Sequence, residues 1–164
     1  MRTSILHLAR LVFLVLPETR AFPFKAQLLR FAGARVGANV RICSSARVMG
    51  SGELEIGDDA WIGQDVLIVS SSKVIIGSSV DIGPRVFIGT GTHEVDPFGV
   101  RSAGASLSKD VAIGNGAWLC ANSAVLPGVT IGEKSVLAAG GIAVEDVPPR
   151  MMAGGVPAKG LRPL

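Results

Sequence analysis

The sequence predicts an all-β solenoid, a triangular coil of short parallel strands stacked on itself. Three observations predict it. An aliphatic residue recurs at every sixth position, the fifth position of each six-residue unit is small or β-branched, and the repeat slips by two residues at one regular place. An amphipathic helix needs apolar residues at intervals of about 3.6, which a period of six rich in Val and Ile does not supply.

The units begin at Val36, Ile42 and Val48, then at Ile56, Ile62 and Ile68, then at Ile76, Ile82 and Ile88. After an interruption they resume at Ile113, Leu119 and Val125, then at Ile131, Leu137 and Ala143. Fourteen of these fifteen residues are Val, Ile or Leu, and all fifteen fifth positions, Val40 through Val147, are Val, Ala, Ser, Thr or Gly. Each unit reads as one strand plus one turn, and three units close a triangle. The aliphatic residue points inward onto its copy in the next coil, and the fifth position sits near a corner. Gly, often second in the unit, is expected to relax the turn backbone. One coil cannot bury its own face, so stacking builds the core, and each buried Val, Leu or Ile contributes roughly 1.5–3 kcal/mol. Val36, Ile56 and Ile76 are spaced by twenty, not eighteen, which places two extra residues per coil around Leu54-Glu55 and Val74-Ile75.

Three segments fall outside the repeat. Residues 1–35 read as an N-terminal helical segment broken at Pro17 and Pro23. The coils span 36–148 and are interrupted by a protruding loop, 94–110. Residues 149–164 read as a short tail that leaves the solenoid at Pro148-Pro149. Long loops without structure of their own are mostly functional or disordered.

Composition narrows the function classes. The chain has 164 residues, 48% of them hydrophobic, which excludes a disordered chain. Its net charge of +3 is unevenly spread: residues 1–50 carry eight Lys/Arg against the single acid Glu18, the remainder eight against twelve. The basic head reads as a solvated end, or as a patch facing anionic lipid or a phosphate-bearing substrate. It carries no nucleic-acid-binding motif. Cys43 and Cys120 form no disulfide framework or metal-ligand spacing and read as small packing residues. The apolar run Ile5 to Leu16, interrupted by His7 and Arg10, is too short to span a bilayer and lacks a cleavage signal. A cytoplasmic protein is expected, peripheral at the inner membrane face if residues 1–35 meet lipid rather than a neighbouring subunit.

Of the two histidines, His7 lies in the helical segment, whereas His93 ends a coil and opens the long loop. A free imidazole titrates near about 6.5, which suits it to accept a proton from a hydroxyl. Close by, Asp96 reads as a group orienting the imidazole or a substrate, or as a loop cap, and Arg101 as a contact to a charged acceptor or a solvated side chain. From Pro148 onward the chain has Arg150, Lys159 and Arg162 and no acid, as a phosphate partner would require.

Several stretches carry a more specific signal: Gly91-Thr92-His93, Ile113-Gly114-Asn115-Gly116-Ala117-Trp118, Leu126-Pro127-Gly128-Val129-Thr130-Ile131-Gly132, Asp146-Val147-Pro148-Pro149, and Ala153 to Lys159. With them, residues 36–164 resemble the hexapeptide-repeat acyltransferases, nearest the maltose and galactoside O-acetyltransferases and the acetyltransferases of capsule, colanic acid and O-antigen polysaccharide biosynthesis. The resemblance implies a left-handed parallel β-helix and a homotrimer with active sites between adjacent subunits. It implies acetyl-CoA as co-substrate, no metal, and a sugar or glycan hydroxyl as acceptor. His93 matches the catalytic histidine, Trp118, Ala121 and Ala139 match the CoA groove, and Lys159 and Arg162 match basic positions near the CoA phosphates. Val144-Glu145 stands where the family commonly has Thr-Lys, which leaves only a backbone contact at Val144. Cys120 replaces a Gly. Gly63 replaces an acceptor-holding Asn, and Gln64 and Asp65 follow it as acceptor-side candidates.

The resemblance gives a mechanism in which His93 removes the acceptor proton as the hydroxyl attacks the thioester carbonyl. Backbone N–H groups stabilise the oxyanion, and the imidazolium protonates the departing thiolate. No acyl-enzyme is needed, and Cys120 has no evident base partner. Other readings share parts of this pattern: N-acetylation of a nucleotide-linked amino sugar, transfer from an acyl carrier protein, and a non-catalytic β-helix scaffold. A zinc carbonic anhydrase on the same helix would need a cluster of His ligands that two histidines do not provide.

Overall fold

The computed structural model describes all 164 residues. Two helices, α1 (Thr3–Val15) and α2 (Phe22–Phe31), precede a solenoid of three-strand coils. The first coil is β1 (Arg35–Val36), β2 (Arg41–Ile42) and β3 (Arg47–Met49); the second is β4 (Glu53–Ile56), β5 (Trp61–Ile62) and β6 (Leu67–Val69); the third is β7 (Lys73–Ile76), β8 (Asp81–Ile82) and β9 (Phe87–Gly89). A hairpin, β10 (Gly91–Val95) and β11 (Ala103–Ser108), then leaves the coil. The fourth coil is β12 (Val111–Ile113), β13 (Trp118–Leu119) and β14 (Ala124–Val125), the fifth β15 (Thr130–Ile131), β16 (Val136–Leu137) and β17 (Ile142–Ala143). β18 (Met151–Gly155) and β19 (Ala158–Pro163) finish the chain.

The expected β-helix is thus present, with three faces that are parallel throughout except for the terminal strand β19. Face one runs β1-β4-β7-β12-β15, face two β2-β5-β8-β13-β16-β18-β19, and face three β3-β6-β9-β14-β17. Each aliphatic residue pairs with its copy one coil on, as in Ile62, Ile82, Leu119 and Leu137. From Ile42 to Ala143, every unit-initial residue except Val48 is at most 4% exposed. Val36 and Val48 are only half-buried, because the first coil has no coil beneath it. The helices cover that open end: α1 buries Leu6, Ala9 and Phe13 and α2 buries Lys25, Ala26 and Leu29.

Four expectations need correction. Pro23 does not break a helix; it sits in the first turn of α2, where its missing N–H is no loss. The residues added to the second and third coils lie at the corner, about Gly50-Ser51 and Ser70-Ser71, and not at Leu54-Glu55 and Val74-Ile75, which are strand residues with Leu54 and Val74 buried at 1% and 0% exposure. The loop 94–110 is an antiparallel hairpin that already begins at Gly91. The tail does not leave the solenoid: β18 pairs in parallel with β16, Val136 opposite Met152, and β19 folds back on it. No helix is long and apolar enough to cross a membrane.

The unit-second glycines act by close approach rather than by relaxed torsion. A Cβ on Gly37, Gly57, Gly77, Gly114 or Gly132 would fall 2.3–2.8 Å from an atom of the coil above, with a backbone nitrogen of that coil within 2.8 Å in each case. None of these five has a positive φ. The left-handed turn residue is the fourth of the unit, often not Gly: Asn39, Asp59, Asp65, Ser79, Arg85, Asn122 and Lys134 have φ between 54° and 59°.

Candidate active site

His93 lies in the hairpin strand β10, exposed to solvent. The hairpin leaves the corner joining face three to face one, where the earlier coils carry only Gly50-Ser51 and Ser70-Ser71. Buried Thr90 anchors it: the Thr90 Oγ1 accepts from the N–H of Ser71 at 2.7 Å and of Ser72 at 3.1 Å. Thr92, a fifth-position residue by count, is exposed because the chain has already left the coil.

His93 is opposite Ser106, and the register shifts between His93 and Val95, an irregularity that re-aims side chains. The imidazole Nδ1 lies 3.0 Å from the Gly104 carbonyl oxygen and 3.5 Å from the Ser106 hydroxyl. A carbonyl oxygen only accepts, so Nδ1 carries the proton and donates to Gly104. The lone pair then resides on Nε2, which has no partner within the chain. This is the tautomer a general base needs, held by the backbone of its own hairpin.

Of the other hairpin candidates, Asp96 faces its own turn. Its Oδ1 accepts from the N–H of Phe98 at 3.0 Å and of Gly99 at 2.8 Å. Arg101 is exposed near the hairpin tip. Val144, 43% exposed, sits at the same corner as the hairpin two coils further on. Beside it, the Glu145 carboxylate accepts from Lys159 Nζ at 3.0 Å.

A second group gathers about face two. Trp118, 52% exposed, stands in an outward column with Asp81 on one side and Val136, Met152 and Arg162 on the other. Three strand spacings, about 14 Å, separate Trp118 from Arg162. Ala121 and Ala139 share the adjoining corner, where Gly140 N–H donates to the Ala121 carbonyl at 3.0 Å. Gln64 and Asp65 occupy that corner lower down; the Gln64 carbonyl accepts from Arg85 N–H at 2.7 Å, and Asp65 N–H donates to Ser45 Oγ at 2.9 Å. Within one chain this group is on a different corner from His93. Burial pushes the thiols of Cys43 and Cys120 up, Cys43 to about 11, which disfavours thiolate formation.

No protein-family model matches the chain. Over 63 residues it is 41% identical to the galactoside O-acetyltransferase of Escherichia coli, a match that spans 38% of this chain and 31% of that protein. The chain spans only about a third of the length of the curated relatives it matches. Structural similarity extends much further. A hexapeptide-repeat-containing acetyltransferase of Vibrio cholerae, crystallised with acetyl coenzyme A, superposes with a TM-score of 0.82 at 27% identity, covering 99% of this chain and 86% of that one. The chain has the hexapeptide-repeat acetyltransferase fold. A galactoside acetyltransferase in complex with coenzyme A gives a TM-score of 0.72 at 24% identity, with 98% and 80% coverage. Rigid superposition cannot match coils of opposite hand, so the winding is shared with these acetyltransferase-fold structures.

Within this acetyltransferase fold, the groups that hold the imidazole were not legible in advance. The Gly104 carbonyl acts through the backbone, and nothing in Ala103-Gly104-Ala105-Ser106 marks it. Thr90 could have been found, since it continues the Gly50, Ser70 series at the insertion corner.

Proposed function

We propose that this chain transfers an acetyl group from acetyl-CoA to a hydroxyl of a sugar or glycan precursor, as in polysaccharide and O-antigen modification, with His93 as general base. The observation that carries it is the fixed tautomer: Nδ1–H is committed to Gly104, and exposed Nε2 is free to accept the hydroxyl proton. The hydroxyl oxygen bonds to the thioester carbonyl carbon as Nε2 takes its proton. Collapse of the tetrahedral intermediate breaks the carbon–sulfur bond, and the imidazolium returns the proton to the CoA thiolate.

The residues present fit the donor. Trp118 offers an exposed ring beside the small corner residues Ala121 and Ala139, where a pantetheine chain can run close to backbone. Arg162 lies on the same face, and Lys159 beside Val144 at the hairpin corner; both supply positive charge for phosphates. Because His93 and the Trp118 group lie on different corners of one chain, a complete site requires two chains side by side. A homotrimer provides that. Beyond Arg47 at its first rung, the outer column of face three, with Leu67, Phe87, Ala124 and Ile142, is apolar and suited to the contact. On this reading Gln64, Asp65, Asp96 and Arg101 are candidates for the acceptor side.

The test is thiol release from acetyl-CoA with a panel of sugars, wild type against His93→Ala. Release dependent on hydroxyl acceptors and lost in the variant is the expected result. Activity confined to amino sugars would replace O-transfer by N-transfer, and full activity of the variant would remove His93 from the chemistry.

A further inference from the structure

Both N-terminal helices are apolar on the side turned away from the coils. In α1, Leu8, Leu11 and Val15 are 58%, 63% and 82% exposed although the opposite side of the helix is buried. Their i, i+3, i+7 spacing puts them on one stripe. In α2, Phe24 and Phe31 are 50% and 62% exposed, again opposite the buried side. A helix apolar on both sides is ordinarily covered on both. Since each helix packs its buried side toward the first coil, the two outer sides share the N-terminal end of the solenoid.

That end carries positive charge without counter-charge. The side chains of Arg2, Arg10, Arg20 and Arg47 are exposed and make no hydrogen bond or ion pair within the chain. The one acid of residues 1–50, Glu18, is committed: its Oε1 accepts from Ser45 N–H at 3.1 Å and Ser45 Oγ at 2.6 Å.

We propose that this end docks on an anionic membrane surface, with α1 lying in the interfacial plane. Leu8, Leu11 and Val15 enter the headgroup region, and the unpaired arginines meet lipid phosphates. Thirteen residues of helix measure about 20 Å against a hydrocarbon layer of about 30 Å, so α1 lies on the bilayer and does not cross it. A second copy of the chain is a poorer occupant, because it would bring two arginine-rich ends together with only Glu18, already hydrogen-bonded to Ser45, to set against them. The membrane supplies the missing negative charge. The His93 hairpin leaves from the side of the third coil and stays open when the end is docked.

The full chain is to be sedimented with phosphatidylcholine vesicles and with vesicles containing added phosphatidylglycerol. Binding to the second and not the first is expected, weakening as salt rises from about 0.1 to 1 M and the screening length falls from about 10 to 3 Å. The L11E/V15E variant alters two solvent-facing side chains, so its circular dichroism should match wild type while partitioning falls about a hundredfold. His93→Ala should bind vesicles as wild type does, so loss of the proposed acyl transfer leaves this result standing. The proposal is overturned if the wild-type chain ignores anionic vesicles, or if L11E/V15E binds them undiminished. It is equally overturned if the wild type forms an end-to-end dimer that L11E/V15E dissociates.

Discussion

A single proton position on His93 connects structure to chemistry. The Gly104 carbonyl fixes it, so on the proposed mechanism removing the imidazole takes away the base without disturbing the hairpin's backbone pairing. His93→Ala is expected to lower kcat by between about a hundredfold and ten-thousandfold, with little change in the KM for acetyl-CoA, measured by thiol release. Glu145 should act on the other parameter. It occupies Lys159, and both side chains are well exposed, 70% and 62%. If Lys159 meets a donor phosphate as proposed, Glu145→Gln frees its ammonium and should lower the KM for acetyl-CoA by up to about fivefold, with kcat unchanged. The candidacy of His93 was legible from its place beside the break in the repeat, which the structure shows as a hairpin strand. Its partner was not, because a carbonyl has no side-chain signature and the bulge that aims the ring depends on cross-strand register.

Between residue and molecule, the six-residue unit is the element that decides stability. Its inward residues and fifth positions could be read directly, because period and residue size translate into burial without further information. The reason for the second-position glycines could not, since it lies in how closely two coils approach. A Cβ on Gly77 would sit 2.8 Å from the Asn115 nitrogen and 3.0 Å from its Cα, both backbone atoms that cannot step aside. Gly77→Ala should therefore cost about 1–3 kcal/mol or more, read from urea unfolding. The opposite sign is expected at the fourth position. Arg85 holds φ at +58°, which a side chain resists and Gly does not, so Arg85→Gly should stabilise by about 0.5–1 kcal/mol despite the greater freedom of the unfolded chain.

Taken as a whole, the molecule is a stack whose outer faces differ in character. On face one, Glu55 of the second coil lies between Arg35 of the first and Lys73 of the third, and pairs with both. The hydrogen bonds from Arg35 and then Lys73 hold its carboxyl down to about 2, from an ordinary 4.5. A lowered carboxyl contributes stability above its unfolded value and loses it as pH falls through the folded one. The thermal midpoint of wild type should exceed that of Glu55→Gln above pH 4.5, and the gap should close as pH approaches 2. The two end caps were the least legible part: helices and tail have no repeat, and their task is set by the open ends they cover. One corner stands apart from the other two. Every departure from the eighteen-residue coil, from the paired additions to the whole His93 hairpin, occurs where face three turns into face one. Its glycines are as confined as those of the corner between faces one and two, since a Cβ on Gly50 or Gly52 would fall 2.1 or 2.0 Å from a carbonyl oxygen of the next coil; what sets it apart is the extra length of chain it carries. The spool can thus be let out along a single seam, and a foreign peptide spliced after Ser51 or Ser71 should leave the winding intact, whereas the same splice after Gly57 or Gly77 should unravel it.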